Sequence, residues 1–146
     1  MSLSTIGFTQ KSAERFFTLL RTADVKRLVD VRINNISQLA GYAKRDDLKF
    51  FLREICGAEY VHEPLLAPDK AMLKIYRNNE ISWIEYEKRF IDLMAARKID
   101  TRFLPQDLDG ACLLCSEHLP HHCHRRLVAE YLNDRWQTRL EVSHLV

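Results

Sequence analysis

The chain has 146 residues, with 22 Lys and Arg against 20 Asp and Glu, and it is 47% hydrophobic and 29% charged. That length suits one domain of about 100–200 residues, and the composition excludes a disordered tail, a collagen-like repeat and a coiled coil. A net charge of +2 excludes a broad field for capturing nucleic acid, although it allows a local basic patch.

The elements follow in chain order. Ser4–Phe8 reads as a short strand. Ala13, Phe16, Phe17 and Leu20 recur at helical spacing, with Ser12 or Thr9 as the cap. Arg27-Leu28-Val29-Asp30-Val31 is a β-branched run of strand length. Residues 32–46 read as a loop. Leu48, Phe51, Leu52 and Ile55 form the stripe of a second helix, capped by Asp46 or Asp47 and stopped by Gly57. Glu59–His62 is a third strand, and a short helix is expected over 69–77. Ser82 caps a longer helix with Trp83, Tyr86, Phe90 and Met94 on one face. Ala111-Cys112-Leu113-Leu114-Cys115 suits a strand buried on both faces. That run is also the longest apolar one, far below the roughly 20 residues that span a bilayer. Pro120 is expected to open the last helix, and residues 139–145 form a last strand.

Strands alternating with helices imply a mainly parallel sheet. Right-handed crossovers then put helices on both faces. The expected fold is one three-layer α/β domain over residues 1–146, with about five strands. The start of the chain has no basic segment followed by an apolar one, so export is not expected. A cytoplasmic location follows, with all four Cys as reduced thiols rather than disulfides.

In such sheets ligands sit beyond the carboxyl ends of the strands. Gly7 and Thr9, Asp30 and Arg32, Tyr60 and His62, and Cys115 and Glu117 all follow strands, and Cys123-His124-Arg125 opens a helix. Free amides at a helix start favour an anion. Arg32 and Arg125 would add two guanidiniums to that cradle. The same field would lower the pKa of Cys115 or Cys123. Arg126 points elsewhere on the helix and is read as solvated.

His124 has two readings: a buried ring holding a loop carbonyl, or an acid, base or ligand. Glu117 is a candidate acid or base beside it. Asp30, inside an apolar run, needs a partner; Arg32, His124 or a backbone amide would serve. Its catalytic and structural readings weigh equally. A zinc-stabilised domain is an alternative, with Cys115, Cys123, His124 and either His121 or His122 as ligands, but the spacing is wrong for a zinc knuckle. Cys112 and Cys115 point to opposite faces of a strand and so form neither a ligand pair nor a thioredoxin-like site. His118, His121 and His122 read as exposed turn residues, Cys56 as packing, and the aromatic residues as core. Neither a dinucleotide nor a P-loop motif is present, and no G-x-S-x-G elbow.

Thr5-Ile6-Gly7-Phe8-Thr9, Leu28-Val29-Asp30-Val31-Arg32 with Ser37, Leu114-Cys115-Ser116-Glu117, Pro120 and Cys123-His124-Arg125 together resemble the DUF488 family of small bacterial and archaeal proteins. The resemblance runs through nearly the whole chain. It implies a single α/β domain with a pocket built on these Cys, His and Arg residues, in a family suspected to be enzymatic without an established reaction. Many members carry Pro before the Ser and Arg after it, whereas here the stretch is Asn34-Asn35-Ile36-Ser37-Gln38, which removes one anion contact.

The expected protein is a small enzyme. Cys115, Glu117, Cys123, His124 and Asp30 would carry its chemistry. Arg32, Arg125, Gly7, Thr9 and Ser37 would hold an anionic ligand, a nucleotide or a nucleic-acid phosphate. No cofactor, metal ion or membrane enters that reading, and a homodimer is compatible with it. A non-catalytic phosphate- or nucleic-acid-binding module is the alternative.

Overall fold

The computed structural model describes residues 1–35, 41–116 and 122–146. The first half contains strand β1 (Ser2–Gly7), helix α1 (Ala13–Thr22), strand β2 (Arg27–Asp30), helix α2 (Arg45–Phe51) and strand β3 (Glu59–His62). Ser12 caps α1, its side chain accepting from the Arg15 amide, as a hydroxyl at that position is suited to do. Helix α2 corrects the expected cap. It starts at Arg45 with Lys44 at the N-cap and no side-chain cap bond. Asp46 and Asp47 lie in its first turn, where carboxylates meet the positive end of the helix dipole. One π turn, Leu52–Cys56, prolongs α2 and stops at Gly57, whose φ of 61° glycine adopts without steric cost.

The second half contains helices α3 (Lys70–Arg77), α4 (Trp83–Arg97), α5 (Ile99–Arg102) and α6 (Pro105–Leu108), strand β4 (Ala111–Cys115), helix α7 (His124–Arg135) and strand β5 (Glu141–Leu145). Asp69 caps α3 and Ser82 caps α4. Helices α5 and α6 are single turns, too short to give a periodic stripe. Helix α7 corrects another expectation: it begins at His124 with Cys123 at its N-cap, and Pro120 lies outside the described residues. The terminal strand begins at Glu141 rather than Arg139.

The five strands form one all-parallel sheet in the order β3-β2-β4-β1-β5. The chain leaves β1, passes β4's place and builds β2 and β3. It then returns through α3–α6 to insert β4 between β1 and β2. Strand β4 alternates its side chains between two cores. Ala111, Leu113 and Cys115 join Phe90, Met94, Leu127 and Val128 on the α3–α7 side. Cys112 and Leu114 join Phe16, Phe17, Leu20, Leu48 and Leu52 on the α1–α2 side. The three-layer α/β reading is therefore correct, as is the opposite facing of Cys112 and Cys115. Helices α1 and α7 leave the neighbouring strands β1 and β4 on opposite faces of the sheet.

A side-chain pair fixes the exit from α7. Asn133 donates to the Leu140 carbonyl and accepts from the Leu140 amide, both at 2.9 Å and both buried. Asn133→Ala should therefore cost about 1–3 kcal/mol, because two buried backbone groups lose their partner. A urea unfolding curve would read this as a lower midpoint with an unchanged slope.

Candidate functional site

The end of β2 is built around a buried ion pair. Asp30 is fully buried and Arg32 is 3% exposed. One Asp30 oxygen accepts from Arg32 Nε at 2.8 Å and from the Arg32 amide at 3.1 Å. The other accepts from Arg32 Nη2 at 2.7 Å and from Tyr60 at 2.6 Å. Asn35 in turn donates to the Tyr60 oxygen at 2.9 Å. Burial, followed by the neighbouring Asp30 charge, pushes the Tyr60 phenol up, so it stays protonated and donates. Among the described residues, the buried Nη1 of Arg32 has no hydrogen-bond partner. Arg32 also lies over the Phe8 ring, 5.5 Å from its centroid.

The ends of β1 and β4 are tied together, with Thr9 donating to the Ser116 carbonyl from both its amide and its hydroxyl. Beyond them, Cys115 at the end of β4 and Cys123 at the N-cap of α7 are joined as a disulfide, while Cys56 and Cys112 are free. This corrects the expectation of four reduced thiols. Strand β4 and the first turn of α7 bring the two sulfurs together although eight positions separate the residues.

Arg125 is fully buried. Its Nη1 lies 3.2 Å from Cys115 Sγ and its Nε 3.3 Å from Thr5 Oγ1. Thr5 accepts from Arg125, and its hydroxyl is also hydrogen-bonded with His144 Nδ1, 2.6 Å away. Burial, then the Arg125 and Arg15 charges, brings the Lys11 ammonium down to about 8, a sign of the positive field on this side of the rim.

His124 Nε2 lies 2.6 Å from the Val31 carbonyl, so Nε2 carries the proton and donates. Burial lowers this imidazole to about 4, the Arg125 and Arg77 charges adding to the effect. At neutral pH it is an uncharged ring that holds the loop after β2.

A cavity of about 220 Å³ opens in front of these groups. Arg32, Cys115, Ser116, Cys123 and His124 line it on the sheet side, and Arg77, Tyr76, Trp83, Tyr86 and His122 on the α3–α4 side. Trp83 stacks on His122, with centroids 4.8 Å apart, and on Tyr86 at 5.3 Å.

Five of the expected residues thus meet: Asp30 and Arg32 at one strand end, Cys115 at the next, Cys123 and His124 at the helix entrance. Arg32 and both cysteines face the cavity, whereas Asp30 stands behind Arg32. Arg125 belongs to the cluster but turns inward, behind Cys115. Gly7 pairs with Cys115 in the sheet register, and Thr9 holds Ser116; neither lines the cavity. Glu117 and Ser37 lie outside the described residues. Reasoning from sequence missed Arg77, Tyr76, Trp83 and Tyr86 as a cavity wall, because helical spacing assigns such aromatics to the core. The available signal was the place of Trp83 directly after its helix cap, where a ring reaches past the end of the core.

Sulfur and nitrogen atoms of Cys115, Cys123 and His124, three of the four ligands of the zinc alternative, lie within 4.8 Å of one another. While the two sulfurs are bonded to each other neither is a thiolate ligand for a dication, and the Arg125 guanidinium lies 3.2 Å from Cys115 Sγ.

The fold and the rim define an all-parallel α/β domain whose site sits where β2, β4 and α7 meet. The sequence profile of DUF488, described as a domain of unknown function, matches residues 12–132. The chain belongs to that family. Comparisons with curated proteins and with solved structures return no significant match. No helix among the described residues is long and apolar enough to cross a membrane.

The neutral His124 makes a pH-dependent contribution to stability. Its folded pKa of about 4 lies below the ordinary value of 6.5, so the unfolded chain binds the proton first. The stabilisation is complete above about pH 6.5 and is lost as pH falls toward 4, an effect on the order of 2 kcal/mol. Unfolding free energies of the protein and of His124→Gln should therefore converge as the pH drops through that window.

Proposed function

We propose that this chain is a small enzyme that binds a phosphate-bearing ligand with a planar ring, a nucleotide, in the cavity at the carboxyl rim of the sheet. The observation that carries this reading is the composition of the cavity wall. It has two guanidiniums, a row of aromatic rings and two cysteine sulfurs within one space of about 220 Å³. A guanidinium binds a phosphate through paired, charge-assisted hydrogen bonds. Arg32, whose buried Nη1 has no hydrogen-bond partner among the described residues, and the exposed Arg77 are the two that border the cavity. A flat ring stacks on Trp83, as His122 does in this structure. A small molecule suits the enclosed space and the low net charge better than a nucleic-acid strand, whose binding draws on a broad basic surface.

Cys115 is the nucleophile in this reading. Its thiolate is held by Arg125, which therefore acts on the sulfur rather than on the ligand. Asp30 fixes the angle of Arg32, and Tyr60 and Asn35 fix Asp30. His124 orients the loop after β2. Glu117 is proposed as the proton-transfer partner, and Ser37 as a further contact to the anion. The reading needs Cys115 as a thiol, so it places the protein in the cytoplasm, where thiols are kept reduced. A homodimer is compatible with this reading.

Titration of the reduced protein with nucleoside monophosphates, followed by calorimetry, tests the reading. Binding should be clearly tighter than for the matching nucleosides. Arg77→Ala, on an exposed position, should weaken it about tenfold, the worth of one charged hydrogen bond, without moving the melting temperature. Equal affinity with and without the phosphate would remove the reading. The non-catalytic alternative is separated by alkylation: bound ligand should protect Cys115 from iodoacetamide, and Cys115 should react at a pH where an ordinary thiol does not. An ordinary thiol pKa would favour a binding module.

A further inference from the structure

Cys115 and Cys123 are a pair, and each has its own source of thiolate stabilisation. Cys115 has the buried Arg125 guanidinium at 3.2 Å. Cys123 is the N-cap of a twelve-residue helix, where unpaired amides lower a thiol's pKa. Their sulfurs meet in a disulfide, so one cysteine is within reach to resolve an oxidised form of the other. Cys115 is 1% and Cys123 3% exposed, yet both border the cavity. A protein disulfide cannot reach sulfurs buried to that degree. A small oxidant that enters the cavity can.

We propose that the Cys115–Cys123 pair is a two-electron redox centre that reduces small hydroperoxides. The Cys115 thiolate attacks the terminal peroxide oxygen; the S–O bond forms, the O–O bond breaks, and the alkoxide takes up a proton and leaves as the alcohol. With hydrogen peroxide, this product is water. Cys123 then attacks the Cys115 sulfenic acid; the S–S bond forms, the S–O bond breaks, and the Cys123 proton leaves with the hydroxyl as water. The dithiol loses two electrons and the hydroperoxide gains them. A small dithiol reductant restores the thiols by exchange. Cys56 takes no part, since it packs against the Phe17 carbonyl. Cys112 takes none either, because burial on the opposite face of β4 pushes its thiol up. The proposal rests on the reading of Cys115 as a thiolate nucleophile, but not on the nucleotide.

The test treats the fully reduced protein with one equivalent of hydrogen peroxide and counts thiols after denaturation. The expected result is loss of two of the four thiols, with mass spectrometry placing the bond between Cys115 and Cys123. The reaction should be at least about tenfold faster than that of free cysteine at the same pH, as a stabilised thiolate requires. Cys56→Ser and Cys112→Ala should behave as the parent does. Without reductant, Cys123→Ser should stop at a sulfenic acid on Cys115 that dimedone traps, and dithiothreitol should support repeated peroxide consumption in the parent, Cys56→Ser and Cys112→Ala but not in Cys115→Ser. Oxidation at the free-cysteine rate, or oxidation spread over all four cysteines, would overturn the proposal. If peroxide is reduced by Cys115 but no nucleoside monophosphate binds, only the ligand reading falls. If the nucleotide binds and Cys115 reacts no faster than free cysteine, the redox centre falls.

Discussion

The structure depends on the burial of β4. Every residue from Ala111 to Cys115 is buried, so this strand needs a partner on each edge and a layer on each face. The sheet supplies β1 and β2 as edges, and the two cores supply the layers. A strand with five buried backbone amides and carbonyls is tolerable only because both ladders pair them. The long return through α3–α6 exists to deliver β4 to that slot. The same insertion sets the site, because it puts Cys115 between the ends of β1 and β2.

Around Cys115 the rim holds charges that would be expensive alone. Asp30 and Arg32 are removed from water together, each at a cost of several kcal/mol that their hydrogen bonds must offset. Four donors converge on the two carboxylate oxygens, which explains how Asp30 persists at the end of an apolar strand. Arg125 is held differently, by Thr5, the Cys115 sulfur and the surrounding α7 face. One guanidinium thus serves a neighbouring carboxylate and faces the cavity, while the other serves a sulfur and is sealed behind it. Two arginines of equal charge acquire different roles because burial and partners differ.

The sequence expectation for the fold was close because its cues are local. Period-2 and period-3.6 patterns, Ser12, Asp69 and Ser82 before helices, and Gly57 after one are short-range signals. The weak points were also local. Asp46 and Asp47 looked like caps, yet they belong to the first turn of α2, where the helix dipole suits them as well. Pro120 looked like a helix start, yet Cys123 is the N-cap. For the site, the parallel order of elements was enough to bring Asp30, Arg32, Cys115, Cys123 and His124 to one rim. It was not enough to tell which of them face a ligand. Arg125 and Arg32 are both strand-end or helix-start arginines, and no spacing rule says that one turns inward. Tyr76, Trp83 and Tyr86 escaped because a ring at helical spacing reads the same whether it meets a core or the wall of a cavity.

What the sequence determined by itself was the class of fold, the two-faced burial of Ala111–Cys115 and the gathering of Cys, His and Arg at the carboxyl rim. These follow from residue order and periodicity, which act over a few positions. Tertiary structure alone decided the strand order, the joining of Cys115 to Cys123, the inward turn of Arg125 and the aromatic side of the cavity. Those depend on which distant segments share a space. Burial, charge pairing and hydrogen-bond satisfaction among residues as far apart as Thr5 and Arg125 settle them.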